Sequence, residues 1–428
     1  MICIVCEYFK YAKTTTKETE GMDFRKFLIA PLAVFVLLAA VPGFAADVNE
    51  LERRLDIMSE ELDRVKNSSG GSGIAHRTSV HGYGEIHWVD DPDGDYTVDQ
   101  HRFVIGVHSE LTDWIHLNAE IDFEHAAQEL EFEFGHLDFL VSNALNFRAG
   151  TMLMPMGNLN EFHEPNNFFT VERPEYHSKL IPTTWSQAGF GIHGAQGDLS
   201  YRLYLTNAVQ SVNDSRDFND DSFIRSGREQ LNYSEVGNIA LSGRLEKKAP
   251  GGQAGFSFYT GGSTGSYIPE DGQTTIIELD YKTKRGALDL DFGIFKGWVE
   301  DTKEINDACD RDDVACGGDV PASAFGFIMT AGVHVPELMG KNTIHDFIPF
   351  IQYQKIRPQD EVGDGATVVP QSNYDVFTVG VAYKPDPKVA LKANYVTKYY
   401  GGTEAANARY GDAGSSGSAF NMAVAYQY

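Results

Sequence analysis

The chain has 428 residues, of which 22% are charged and 12% aromatic, and a formal net charge of −26. Such a polyanion is unsuited to neutralising phosphates, so nucleic-acid binding is excluded. Beyond the N-terminal region no apolar run is long enough for a membrane helix, which leaves an exported chain either soluble or crossing a membrane as a closed barrel.

Residues 1–21 read as an upstream extension from a misplaced start codon. Met22 opens a short basic region with Arg25 and Lys26, followed by an apolar run over 27–41 and then Pro42-Gly43-Phe44-Ala45. The segment 22–45 therefore reads as a secretory signal cleaved after Ala45, its run being too short to span a bilayer. Next, Val48, Leu51, Leu55, Met58, Leu62 and Val65 are spaced alternately by three and four. That is the seam of a short coiled-coil helix over 46–66, marginal alone and suited to chains already held together. A flexible Gly/Ser linker follows within 67–78.

From residue 79 onward the hydrophobic period is two. In WIHLNAEIDFEH, Ile115, Leu117, Ala119, Ile121 and Phe123 share one face, and His116, Asn118, Glu120, Asp122 and Glu124 the other. The segments approach the length a tilted strand needs to cross a bilayer, and the polar face is densely charged. This predicts an all-β fold, a 16-stranded antiparallel transmembrane barrel with its apolar face in lipid. The expected strands are 79–89, 101–111, 114–125, 129–141, 145–153, 185–194, 199–208, 236–246, 253–262, 274–284, 286–298, 323–335, 345–356, 374–384, 388–397 and 418–428. A parity slip near Gly135 predicts a bulge. Connections alternate short and long, as in an outer-membrane barrel with the coiled coil in the periplasm. The last strand ends FNMAVAYQY, and its terminal aromatic resembles the signal by which such barrels are recognised for insertion.

One long connection, 154–184, departs from the Gly/Asp-rich character of the others. It carries Phe162, Phe168, Phe169, Tyr176, Leu180 and Ile181 beside Glu161, Glu164, Glu172, Arg173, Glu175 and Lys179. A loop surrounded by water gains nothing from so many apolar side chains, whereas one folded into the lumen packs them on the inner wall. NLNEFHEP, TVERPEY and LIPTTW within and just after this loop, with GYGEIHW and HRFVIGV upstream, resemble the Gram-negative porins grouped as the phosphate-selective porin O and P type. The resemblance covers most of 79–428. It implies homotrimeric channels for small hydrophilic solutes, set among outer-membrane lipid and lipopolysaccharide, with no cofactor. The loop departs from a phosphate-selective pattern, having four glutamates against Arg173 and Lys179.

The same parity directs Glu85, Glu110, Glu120, Asp122, Glu124, Asp138, Glu278, Asp280, Asp289 and Asp291 into the lumen, with Arg102, Arg148, Arg202, Arg244, Lys282 and Lys392. Acidic rings favour cations, so a modest cation preference is expected. The expected constriction comprises Glu161, His163, Glu164, Glu172, Arg173, Glu175 and Lys179, facing a wall patch containing Arg102 and Arg148. Cys309 and Cys316 read as a loop disulfide rather than a metal site. Two other classes stay in view. His81 and His87 beside Glu85, and His136 beside Asp138, would serve an enzyme, but no nucleophile motif such as G-x-S-x-G is present and the chain is not read as one. His163, Glu164 and His177 would serve an uptake barrel for a metal chelate or other defined ligand, although no metal-ligand spacing is fixed. The acidic stretches DFNDDSF and CDRDDVAC read as solvated tips interacting with divalent ions that bridge surface lipids.

Overall fold

The computed structural model describes residues 77–90, 96–211, 218–231, 237–249, 251–264, 272–311, 320–363, 365–401 and 416–428. The signal segment, coiled coil, linker up to residue 76, CDRDDVAC and the Cys309–Cys316 pair lie outside the described residues or side chains, while Thr78, expected in the linker, already belongs to the first strand.

The strands are β1 (Thr78–Asp90), β2 (Tyr96–Glu110), β3 (Ile115–Glu124), β4 (Glu129–Leu140), β5 (Asn146–Leu153), β6 (Ser186–Gln196), β7 (Leu199–Asn207) and β8 (Ile239–Ala249). They continue with β9 (Gly252–Gly262), β10 (Gln273–Arg285), β11 (Leu288–Val299), β12 (Pro321–Val333), β13 (Asp346–Val362), β14 (Tyr374–Asp386), β15 (Val389–Tyr400) and β16 (Ser416–Gln427). Each pairs antiparallel with its sequence neighbours, and β16 pairs with β1, setting Tyr83 opposite Gln427 and closing the barrel. The C-terminal Tyr428 completes the seam: its N–H donates to the Gly82 carbonyl at 2.9 Å and its hydroxyl to the Val104 carbonyl at 2.9 Å. Boundaries differ from the sequence expectation mainly on the long-loop side, where β2 begins at Tyr96 and β13 runs to Val362.

The apolar parity faces out. Ile121, Phe147, Phe190, Leu279, Ile351 and Phe420 are exposed, whereas Glu120 and Asp122, flanking Ile121, are buried. A soluble sandwich would bury the first set and expose the second. A wall of exposed apolar side chains around a charged interior suits a lipid surroundings, where backbone pairing must also be complete. Among the described residues no helix is long and apolar enough to cross a membrane. Outside the strands, the sequence pattern did not foretell α1 (Thr302–Arg311), whose Ile305 is fully buried, nor the single turn α2 (Val335–Leu338).

The predicted bulge lies in β4, two residues before Gly135. Glu120 of β3 stands opposite Phe134 and Ile121 opposite Phe132, so Glu133 is the extra residue. The insertion keeps Phe132 and Leu130 outward above it and His136 and Asp138 inward below it. It also turns the Glu133 carboxylate into the lumen, where it is buried.

Candidate functional site: a loop threaded through the lumen

The connection from β5 to β6 enters the barrel and crosses it. Near its start, the Gly157 N–H donates to Ser257 Oγ of β9 at 3.1 Å, and Asn158 Nδ2 donates to Asp291 Oδ1 of β11 at 2.7 Å. Further on, His163 Nε2 lies 2.9 Å from Glu133 Oε2 of β4. The chain then descends. Asn166 Nδ2 donates to the Pro387 carbonyl at 3.4 Å and its own carbonyl accepts from Lys384 Nζ at 2.9 Å, at the short turn between β14 and β15. Lys392 Nζ of β15 donates to the carbonyls of Pro165 and Thr170 at 2.5 and 2.9 Å. On the return, the Tyr176 N–H donates to Gln354 Oε1 of β13 at 2.9 Å, and its hydroxyl to Glu278 Oε1 of β10 at 3.3 Å. The loop thus touches opposite walls and reaches the rim opposite to the one it entered by.

Asn160 holds the loop's neck together. Its amide donates to the carbonyls of Met154 and Trp185 at 2.8 and 3.0 Å, and its Oδ1 accepts from the Trp185 N–H at 2.9 Å. Packing supplies the rest: Tyr176, Leu180, Ile181 and Trp185 are fully buried, each contributing about 1.5–3 kcal/mol by burial. Glycines on the wall make room for them. A Cβ on Gly326 of β12 would stand 2.2 Å from Leu180 Cδ1, and one on Gly293 of β11 would stand 3.0 Å from the Tyr176 ring.

The charged residues singled out from sequence come together, but in different pairs from those expected. Arg102 and Arg148 make their ion pairs with wall acids and not with loop glutamates. Arg148 donates from Nε and Nη2 to the two oxygens of Asp138 at 2.7 and 3.0 Å, and Arg102 Nε lies 3.2 Å from Glu85 Oε1. Wall acids on adjacent strands are simply nearer than the loop, and a two-pronged Arg–carboxylate pair is the stronger arrangement. The loop glutamates take other partners. Glu161 pairs with Arg202 at 3.1 Å, Glu172 with His87 Nδ1 at 2.8 Å, and Glu175 with Lys398 at 2.5 Å. Glu164 accepts from Asn167 Nδ2 at 2.7 Å, while Arg173 donates to Thr184 Oγ1 and the His163 carbonyl, both at 3.4 Å. Lys179 lines a cavity of about 340 Å³ with Asn219, Ser222 and Arg225.

Burial and charge set the loop's protonation. Burial raises the Glu161 pKa against the pull of Arg202. Burial opposes ionisation of Glu175 too, but Lys398 and Lys179 outweigh it and its pKa falls. Burial, with Arg173 and Arg244 nearby, brings His177 down to about 3, so it is neutral.

On the wall, Glu124 is half-buried, and Arg244 lies among Glu246, Asp280 and Glu278 at 2.8, 2.6 and 3.6 Å. Arg202 also reaches Glu246 at 2.8 Å, and Asp289 lies 3.6 Å from His334 Nε2. Two features escaped the sequence reading. Glu133 was among none of the expected lumen residues, since a single inserted residue inverts the parity. The stretch DFNDDSF is not a solvated tip: Phe218 and Phe223 are fully buried, and Asp220 Oδ2 accepts from Ser372 Oγ at 2.8 Å. Phe223 packs edge-on to Phe295 of β11, joining Tyr176, Leu180 and Trp185 in one apolar core inside the barrel. Phenylalanines flanking the acids were the signal that could have shown it.

No protein-family model matches the chain. An uncharacterised protein of Aquifex aeolicus (strain VF5) is 29% identical over 337 residues, covering 75% of this chain and 76% of its own length. Among solved structures, Salmonella typhi OmpF in complex with daunomycin is similar at a TM-score of 0.53 and 11% identity, covering 82% of this chain and 97% of its own. The anion-selective porin from Comamonas acidovorans is similar at 0.51 and 12%, covering 82% and 99%. The outer-membrane channel DcaP of Acinetobacter baumannii is similar at 0.50 and 10%, covering 82% and 97%. At such identities the likeness is one of fold, and this chain is a closed 16-strand antiparallel barrel like those of outer-membrane porins.

Proposed function

We propose that this protein is an outer-membrane channel of porin type, passing small hydrophilic solutes or ions by diffusion, and working as a homotrimer in lipid and lipopolysaccharide. The observation that carries this reading is a closed barrel with an apolar outer face and a charged lumen narrowed by an inward-folded loop. Among the described residues, buried carboxylates outnumber buried Arg and Lys, which supports a mild cation preference. The porin O and P resemblance rests on NLNEFHEP, TVERPEY and LIPTTW, now seen to build that loop and its anchors.

The apolar core inside the barrel favours a narrow path over a wide aqueous one. The descent of the loop to the far rim favours a second reading, a barrel for a defined ligand such as a metal chelate, in which the loop must move. Single-channel recording of the purified protein in a planar bilayer under a salt gradient tests both. Conductance steps in threes with a cation-side reversal potential are expected. Silence in simple salt would overturn the diffusion channel and leave the ligand-gated reading. Strong anion selectivity would overturn the cation preference.

A further inference from the structure

Where the loop meets β3 and β4, three ligating side chains converge out of solvent. Glu120, Glu133 and His163 are each more than nine-tenths buried, and one ligand atom from each lies within 4.8 Å of the others. His163 Nε2 stands 2.9 Å from Glu133 Oε2 and 3.8 Å from Glu120 Oε2. The second distance is too long for a hydrogen bond. Glu120 Oε2 is buried and makes no hydrogen bond, and the other nearby base, His81 Nε2, is 3.9 Å from Oε1. Two carboxylates thus share a buried corner with one imidazole.

Neighbouring cations do not resolve this charge. Arg102 Nη1 is 4.0 Å from Glu133 Oε1, while its Nε is 3.2 Å from Glu85, and Asp122 adds a further buried carboxylate with an unbonded Oδ1. Tyr83 donates a long hydrogen bond of 3.4 Å to Glu133. Like charges buried together are relieved either by a proton on one of them or by a cation between them, and the imidazole beside them favours the cation.

The imidazole is set for that role. Its Nδ1 lies 3.1 Å from the Asn160 carbonyl, which can only accept. Donation from Nδ1 to that carbonyl leaves Nε2, which faces the two carboxylates and without an ion donates to Glu133, as the nitrogen that would take a metal. A backbone carbonyl orienting a ligand histidine in this way is a usual outer-shell feature of metal sites. Ligand atoms each about 2.0–2.2 Å from one ion are themselves roughly 3–3.5 Å apart, and the observed 2.9 and 3.8 Å bracket that range. One nitrogen with two oxygens suits a Zn²⁺-class ion, whereas Mg²⁺ and Ca²⁺ prefer oxygen alone.

We propose that Glu120, Glu133 and His163 form a divalent transition-metal site of the Zn²⁺ class, which ties the lumen loop to β3 and β4. A water or a second carboxylate oxygen completes four-coordination. The site does not depend on the channel reading, since binding is measured without conductance.

The test uses the full chain in detergent, stripped with a chelator, with Zn²⁺ as titrant and Mg²⁺ as comparator in calorimetry. One Zn²⁺ per chain is expected at this site, undisturbed by equal Mg²⁺. Glu120→Gln, which keeps the side-chain shape, and His163→Gln should each weaken that binding at least tenfold. His101→Ala should leave it unchanged, because it alters only the separate groups of His87, His101 and Glu172 and of Asp99, His101 and His125. Zinc-edge X-ray absorption on the unmutated protein should report one nitrogen with oxygens, a readout that survives misfolding of any variant. Absence of stoichiometric Zn²⁺ binding, a shell of several histidines, or binding lost in His101→Ala and kept in Glu120→Gln would overturn the proposal.

Discussion

The two sides of the barrel interior hold the same loop by opposite means. Along β1 to β8 the inward positions include Glu85 with Arg102, Asp138 with Arg148, and Arg202 and Arg244 with Glu246, joined in short ion pairs. Along β9 to β14, beside carboxylates such as Glu278, stand Tyr259, Ile276, Phe295, Ile328, Ile356 and Val376, buried under the loops. Apolar packing is not directional and resists change through area; an enclosed ion pair resists it through the cost of orphaning a charge. The charged side therefore responds to pH and to single charge removals, and the apolar side to volume.

The largest effect is expected on the charged side. Arg244 is almost wholly enclosed among three carboxylates. Arg244→Ala leaves them facing one another and should cost about 3–5 kcal/mol, read as a loss of the heat-resistant compact band on gels. A mild effect would mean that the charged wall is wetter than its enclosure implies. Next comes the apolar side, where Leu180→Ala empties a site beside Gly326 and should cost about 2–5 kcal/mol. Hydrogen exchange over 176–181 should speed up and channel conductance rise, with the barrel itself intact. If exchange is unchanged, the ion pairs hold the loop unaided.

Acid sharpens the contrast at smaller cost. His177 is neutral and buried in the docked loop, with its pKa lowered to about 3 against an ordinary value of about 6.5. A group so lowered stabilises docking fully above its undocked pKa and loses that contribution as pH falls from about 6.5 towards about 3. The slope is about 1.4 kcal/mol per pH unit, so loop protection should drop by roughly 2 kcal/mol at pH 5. Glu175, also lowered, adds to the loss only below the ordinary carboxylate range, and a His177→Gln variant should flatten the upper part of the profile. The smallest change is Glu161→Gln, which leaves Arg202 with Glu246 as partner. It should shift the reversal potential a few millivolts towards anions with no loss of stability; a large shift would place Glu161 at the narrowest point.

Most of the barrel was legible because period two survives along most of the strand length whose outer face meets lipid: Ile121 and Phe123 had to share a side. The inward loop was legible for the same reason in reverse, since Phe168, Tyr176 and Leu180 have no place in water. Pairing within the lumen was not. Parity tells that Arg148 and Asp138 point inward, but only register sets them opposite each other on adjacent strands. Glu133 was hidden by one inserted residue, and the burial of Phe218 and Phe223 by the acids between them.

The descent of the loop to the turn at Pro387 bears on how such a barrel is made. Lys392 grips Pro165 and Thr170 across 227 and 222 residues of chain, so the loop cannot seat until the last strands exist. Closing contacts of that span is slow, because chain entropy is lost before the contact forms. The loop must therefore wait, undocked, inside a curling and still open sheet, and the seam between β1 and β16 shuts upon it. Substitutions at Lys392 should accordingly reveal themselves as delayed assembly before they reveal themselves as altered transport.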